Sequence, residues 1–458
     1  MAGGPTAGGL MRAAARRSLS SLSVPNYRRF FCGQVVSVSG NWMQNVAEVW
    51  LVLKLTHAGW AVGLVAAFQF LPFLLGGAWG GVLADRVAKR TLLMVTQTLM
   101  ALPALVLFGL AAGGIAEVWM VFALVLVRGT VNAFDYPARQ ALVMEMVGPD
   151  RVVNAVSLNS VLVHTARVLG PAAAGAVIAL VGVAPCFALN ALSFGAMLVA
   201  LARMDPAELR PAPPVAREPG QIREAVAYVR RTPALLIPIA SMALVGTFSF
   251  NFQVLLPLLA TFTWQGTAAT YALLTTTMAV GSVAGALAAG ARGRADGALL
   301  VRASALFGAL TLLAAAAPVL PLQLLVLLPL GAASVTFAAG VNSALQLAVE
   351  PAMRGRVLAL YSVVFLGSTP IGAPIAGWLA GAAGPRAGLA LGGVAALVAA
   401  LGARLAWARL APPTVTPPRA VGRPAVGRRP ARGEAHPERG RGAASAGTRA
   451  RPPARRRP

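Results

Sequence analysis

Residues 233–291 contain no Asp, Glu, Lys or Arg and are filled with Ala, Leu, Val, Thr and Phe. A folded protein surface in water cannot be built from so long an uncharged, apolar stretch, so its natural solvent is a bilayer. The rest of the chain shares the bias: 57% of its 458 residues are apolar and the mean hydropathy is +0.71. A membrane span needs about 20 mostly apolar residues. Twelve runs qualify, at 31–53, 61–83, 92–112, 118–137, 155–180, 184–203, 234–260, 268–290, 300–317, 321–343, 356–380 and 386–407. They are too long and continuous for the alternating strands of a barrel, and helices satisfy their own backbone in lipid. The expected fold class is therefore an all-α membrane protein with twelve transmembrane helices.

Charge sets the expected orientation. Bends on one side of the membrane hold nearly all the Lys and Arg, among them Arg28, Arg29, Arg86, Lys89, Arg90, Arg230 and Arg231, whereas the opposite bends hold only Lys54 and Arg386. By the positive-inside rule both termini are cytoplasmic and the chain is multi-pass in the plasma membrane. No cleavable signal peptide is evident, because residues 1–29 lack an apolar core. Cys32 and Cys186 fall near opposite faces of the membrane, which rules against a disulfide between them. The net charge of +25 owes much to residues 411–458, which carry twelve Arg against two Glu amid Pro, Gly and Ala. That composition reads as a disordered basic tail, solvated or resting on anionic lipid. With no aromatics between the arginines, nucleic acid is not an expected partner.

The chain also matches itself. At an offset near 204, Gly81, Leu83, Ala84 and Arg90 fall on Gly285, Leu287, Ala288 and Arg294, while Asp85 falls on Ala289; nearby offsets align Gln140 with Gln346 and Pro171 with Pro374. The expected organisation is a cytoplasmic segment (1–29), a six-helix half (30–203), a linker (204–233) with a surface helix at 221–231, a second six-helix half (234–410) and the tail (411–458). Two similar helical halves suit a transporter with its site between them at mid-membrane.

Polar residues inside apolar runs point to that site. Gln34, Ser37, Asn41, Gln44 and Glu48 are spaced 3, 4, 3, 4 and share one helix face; Arg128, Asn132, Asp135 and Arg139 form a second stripe. Asn154, Ser157, Ser160, His164, Arg167 and Pro171 form a third, and Tyr271, Thr275, Met278 and Ser282 a neutral fourth. Polar faces turned to lipid are costly, so these are expected to look into a shared hydrophilic cavity. Buried charge needs a partner, which places Glu48 near Arg128 or Arg167. Two readings stay open: a static ion pair joining helices, or proton coupling and substrate contact through Glu48, Arg128, His164 and Arg167, with the carboxylate loading and releasing the proton. The second half would line the cavity with Thr247, Asn251, Gln253, Thr275, Asn342 and Gln346 among Phe248, Phe250, Phe252 and Trp264, favouring a small amphipathic organic substrate over a sugar or small ion. Gly170, Pro171 and Gly175, like Gly372, Pro374 and Gly377, allow close helix packing or a hinge. Lys54 and Lys89 are the only lysines and neither ends a phosphate-binding loop, so transport must be driven by a gradient or by another subunit. No metal-ligand cluster or nucleophile constellation stands out, so neither enzymatic activity nor a cofactor is expected.

These features resemble the major facilitator superfamily. The signature is Gly81-Val-Leu-Ala-Asp85-Arg86-Val-Ala-Lys89-Arg90, with Ala88 where the family usually has Gly. Arg128-Gly129 is similar to the fourth-helix Arg motif, and Gly170-Pro171 with Gly175 is similar to the fifth-helix exporter motif, Ala166 and Ala174 standing where Gly is usual. "NYRRFFCGQVVSVSGNWMQ", "DYPARQALV" and "RGRVLALYSVVFLGSTPIGAPIAGW" resemble the bacterial branch of enterobactin exporters and related secretion or macrolide-efflux proteins. The resemblance implies a monomer that works by alternating access, moving small organic compounds outward in exchange for protons. It implies Glu48 as proton carrier, Arg128 as its modulator, and a cytoplasmic gate of Gly81, Asp85, Arg86, Lys89, Arg90, Asp135 and Arg139. In that gate Asp85 would face the start of the eleventh helix, and Lys89 would face Asp135. An importer or lysophospholipid mover on the same fold, and a non-transporting membrane receptor, are the alternatives.

Overall fold

The computed structural model describes residues 20–210, 221–292 and 297–410, with backbone alone at 78–82, 84, 85, 221, 222 and 289–292. The tail expected at 411–458, most of the segment 1–29 and residues 211–220 of the linker lie outside this range. Among the described residues every regular element is helical. The first half holds α1 (Pro25–Thr56), α2 (Gly59–Arg86), α3 (Lys89–Ala112), α4 (Val118–Val147), α5 (Val152–Val181) and α6 (Ala184–Ala202). The linker helix α7 (Gln221–Arg231) follows, and then α8 (Pro233–Phe248), α9 (Phe252–Leu258), α10 (Ala268–Arg292), α11 (Gly297–Ala316), α12 (Leu320–Ala348), α13 (Arg354–Gly367), α14 (Thr369–Ala383) and α15 (Pro385–Leu410).

Local chemistry sets the ends of these helices. Pro25 opens α1 at a position where a missing N–H costs nothing. Gly148 and Gly182 close α4 and α5 with φ of 70° and 91°, conformations a side chain would strain. Eleven helical segments among the described residues are long and apolar enough to cross a membrane. The twelfth run is missing from that set because α1, although 32 residues long, carries Gln34, Ser37, Asn41, Gln44 and Glu48 along its length.

Two of the expected runs are broken helices. The run at 234–260 divides at Ser249–Asn251, where the Ser249 hydroxyl donates to the Gly392 carbonyl at 2.6 Å and the Asn251 amide to the Thr247 carbonyl at 2.7 Å. The Asn251 amide thus replaces a bond the interrupted helix gives up, and the Ser249 hydroxyl ties the break to α15, which is how irregular backbone survives in an apolar interior. Phe250, at the break, packs on Phe307 and Phe365 at ring separations of 5.3 and 5.7 Å. The run at 356–380 divides at Ser368, between α13 and α14.

Packing repeats between the halves. α2 lies on α4, α3 on α6 and α4, and α1 on α6; six spans later α10 lies on α12, α11 on α15 and α12, and α8 on α15. The halves meet where α2 packs on α14 and α5 on α10. Small residues let backbones touch there: a Cβ on Gly59 would sit 2.5 Å from the Gly377 carbonyl oxygen, and one on Gly63 would sit 2.5 Å from that of Ala373. Gly175 likewise has Ala272 against it, while Gly372, within the second half, has the Thr247 carbonyl. The Gly59, Gly63 and Gly175 contacts lie toward the end of the bundle that carries few basic residues. Helix α7 buries Ala225 and Val229. Its Glu224 pairs with Arg356 at the start of α13, an exposed contact worth at most about 1 kcal/mol.

Candidate functional site

The polar stripe of α1 turns into the first half, where Gln34, Ser37, Gln44 and Glu48 find partners on four neighbouring helices. Gln34 donates to Asn159 of α5 at 2.8 Å, and Ser37 to Gln97 of α3 at 3.4 Å. Asn190 of α6 donates to Gln44, which in turn donates to Glu48 Oε1 at 2.7 Å. Glu48 Oε2 accepts from the Arg128 guanidinium of α4 at 2.6 Å, and the same Arg128 nitrogen donates to Asn45 Oδ1 at 2.8 Å. The carboxylate and its partner are both buried, with side-chain exposures of 1% and 7%. The pairing expected for Glu48 is thus with Arg128.

A cavity of about 40 Å³ lies between the halves, lined by α1, α2 and α5 on one side and by α9 and α10 on the other. It is too small for an organic substrate and fits a few waters. The α1 face that reaches it is Trp42, Asn45, Val46 and Val49, at helical spacing and roughly a quarter-turn from the Gln44–Glu48 stripe. Asn45 therefore touches the cavity on one side and Arg128 on the other. Arg167 and Pro171 of the third stripe, all four residues of the neutral stripe (Tyr271, Thr275, Met278 and Ser282) and Gln253 line the cavity, and Gln69 adds a further neutral polar group.

Other expectations are corrected by the geometry. Gln44 is buried against Asn190 and does not reach the cavity. Asn251 holds the helix break, and Asn41, Asn132 and Asn342 lie outside the lining; Asn342 accepts a bond from Gln346. Ser160 is exposed and bonds back to the Val156 carbonyl, so the α5 stripe is divided between the bundle and its surface. His164 is half-buried with Nδ1 unpartnered. Gly170 packs against Trp42 and Ser39 of α1, and Gly377 against Gly59, so close helix approach accounts for both.

The gate residues described are held inside the first half. Lys89 does not face Asp135; it pairs with Glu145 of α4 at 3.3 Å, a buried acid the sequence reading passed over. Asp135 is satisfied by Thr96, Gln97 and Arg139 at 2.6–3.0 Å, four bonds that leave it no capacity for Lys89. Arg90 donates to the Leu201 and Ala202 carbonyls and so caps α6. Arg86 is exposed, and the side chains of Gly81 and Asp85 fall outside the described residues. Asp135→Ala is expected to lower stability by about 3–5 kcal/mol, because Arg139 loses its counter-ion in a buried network. Glu145→Ala should cost about 1–3 kcal/mol, since it removes a single ion pair without hydrogen-bond geometry. Thermal unfolding of the purified variants in detergent measures both.

A buried acid–base pair beside a cavity between two similarly packed helical halves is a transporter's architecture, and the sequence decides which kind. The profile of the transmembrane secretion effectors matches residues 16–414. The chain belongs to this family of major facilitator transporters. It is a multi-pass cell-membrane protein, and its relatives include proteins named as an enterobactin exporter and a staphyloferrin A transporter. Enterobactin exporter EntS of Shigella boydii serotype 18 is 26% identical over 391 residues, 82% of this chain and 90% of that one. The staphyloferrin A transporter of Staphylococcus aureus is 28% identical over 166 residues, 36% of this chain and 42% of that one. For enterobactin exporter EntS of Salmonella choleraesuis the match covers 58% and 64%; the chain thus spans less than two thirds of these last two relatives. Solved structures of the same fold include nucleoside transporter NupG, with a TM-score of 0.65 at 12% identity, covering 83% of this chain and 99% of that one. Another is a bacterial homologue of the human lysosomal transporter Spinster, with a TM-score of 0.63 at 14% identity, covering 84% and 96%. At such identities the likeness is one of fold.

Proposed function

We propose that this secretion effector is a proton-coupled exporter of small amphipathic compounds, such as a siderophore, a drug or a secondary metabolite. The observation that carries the proposal is the buried Glu48–Arg128 pair with Asn45 joining it to the cavity. A proton arriving on Glu48 removes the charge that holds Arg128, and the guanidinium then keeps only Asn45, a residue on the substrate side. Proton and substrate thereby compete through one side chain, which is what exchange requires. A helix-joining role for the pair would not need the cavity at its edge.

On this reading α1 is the twelfth span, its polar face covered by α3, α4, α5 and α6, and the basic end of the bundle with both termini is cytoplasmic. The close contacts of Gly59, Gly63 and Gly175 then seal the outer side, and Asp85 with its basic neighbours latches the cytoplasmic side in the opposite state. The relatives named as enterobactin exporters support the outward direction.

Inside-out vesicles with an imposed pH gradient test the function directly. A panel of siderophores, macrolides and cationic and anionic dyes is expected to include compounds that accumulate only with the gradient of the sign an exchanger uses. Uptake driven by the opposite gradient would favour import, and no gradient-driven movement of any member would remove proton coupling.

A further inference from the structure

We propose that the cavity holds the carboxylate of an amphipathic organic monoanion on Arg167, an inference that rests on the exporter reading and gives its cargo a charge. Arg167 lines the cavity from α5. Its guanidinium carbon lies 5.4 Å from the centre of the Trp42 ring. Among the described residues no carboxylate pairs with it: the acid nearest to mid-membrane, Glu48, is bound by Arg128. The facing wall supplies none, because residues 233–291 contain no acid.

The cavity therefore has one cation in excess. The Glu48–Arg128 pair is neutral as a unit, and its other lining residues are uncharged. A buried cation without a counter-ion is costly, and its natural complement is an anion brought by the ligand. Stacking on Trp42 fixes one face of the guanidinium and leaves its N–H edge free, the geometry that takes a carboxylate through two parallel bonds. A single excess charge matches a monoanion; a phosphate monoester, carrying about −1.5 to −2, would leave negative charge uncompensated in a low-dielectric site. Around the Arg167 head, Asn45, Gln253 and Thr275 offer neutral hydrogen bonds. As it stands, the space of about 40 Å³ takes only the carboxylate end of such a ligand; Val49, Val65 and Leu256 supply the wall for its apolar body once the two halves part to enlarge it.

Equilibrium binding to the full-length protein in detergent, with no gradient present, tests this. The probes are N-dansyl-phenylalanine and its carboxamide, which share a shape and differ by one charge. The wild type should bind the acid on the order of 10- to 100-fold more tightly than the amide, the range for hydrogen bonds to a charged group. Arg167→Gln should remove the difference between acid and amide, while Arg167→Lys keeps part of the preference. An acid that binds the wild type no better than the amide, whether both bind or neither does, overturns the proposal without needing any variant to fold. So does a preference that survives Arg167→Gln in monodisperse protein. The exporter reading fails separately: acid preference without gradient-driven flux in vesicles refutes export and leaves the Arg167 site standing, whereas flux without acid preference does the reverse.

Discussion

Arg128→Leu will destabilise the protein by about 3–5 kcal/mol, because it leaves a carboxylate with 1% side-chain exposure facing an apolar neighbour. Glu48 would keep only the Gln44 amide, at 2.7 Å, and one neutral hydrogen bond does not replace a guanidinium. Glu48→Gln added to Arg128→Leu should recover most of that loss, since the double variant holds no buried charge at the site. The coupling between the two positions, read from melting temperatures of the four proteins in detergent, should reach about 3 kcal/mol. Additive effects would mean that the pair is not an energetic unit. The same double variant is expected to be stable and inactive, a combination that a purely helix-joining pair would not give.

Gly63→Leu will stop transport without unfolding either half. A Cβ at Gly63 already meets the Ala373 carbonyl oxygen at 2.5 Å, so a leucine there can only be accommodated by moving α2 away from α14. Overpacking of this kind costs about 1–3 kcal/mol. Applied to one arrangement of two rigid halves, it shifts their equilibrium about 5- to 150-fold toward the arrangement in which these helices part. Transport in vesicles should fall to background, while size-exclusion behaviour and melting temperature stay near wild type because the core of each half is untouched. Wild-type transport by this variant would show that α2 and α14 need not close at Gly63 during the cycle.

The pairing of Glu48 was legible in the sequence as far as two arginines, Arg128 and Arg167, because an acid in the middle of a span has few possible partners; the fold selects Arg128. The helix count was less so: α1 reads as a span by length, yet its polar stripe lowers its hydropathy below that of the other eleven. What helical periodicity conceals is which face meets which neighbour. The stripe through Gln44 and Glu48 looked like a cavity wall, but it turns toward Arg128 and Asn190, and the less conspicuous face of Trp42, Asn45 and Val49 lines the cavity. The resemblance set Lys89 against Asp135, whereas the fold sets it against Glu145. Glu145 sits among valines and methionines near the end of α4 and carries no local mark of burial, whereas Asp135 is conspicuous and already satisfied by Thr96, Gln97 and Arg139.

Proton movement provoked by substrate is the most direct measure of whether Glu48 couples the two. Proteoliposomes containing a trapped pH-indicator dye receive a transported compound with no gradient imposed. Addition to wild-type protein will change the internal pH at a rate that follows compound uptake, and addition to Glu48→Gln will leave the pH still although the compound binds. A pH change of wild-type size in Glu48→Gln would contradict the assignment of the proton to this carboxylate.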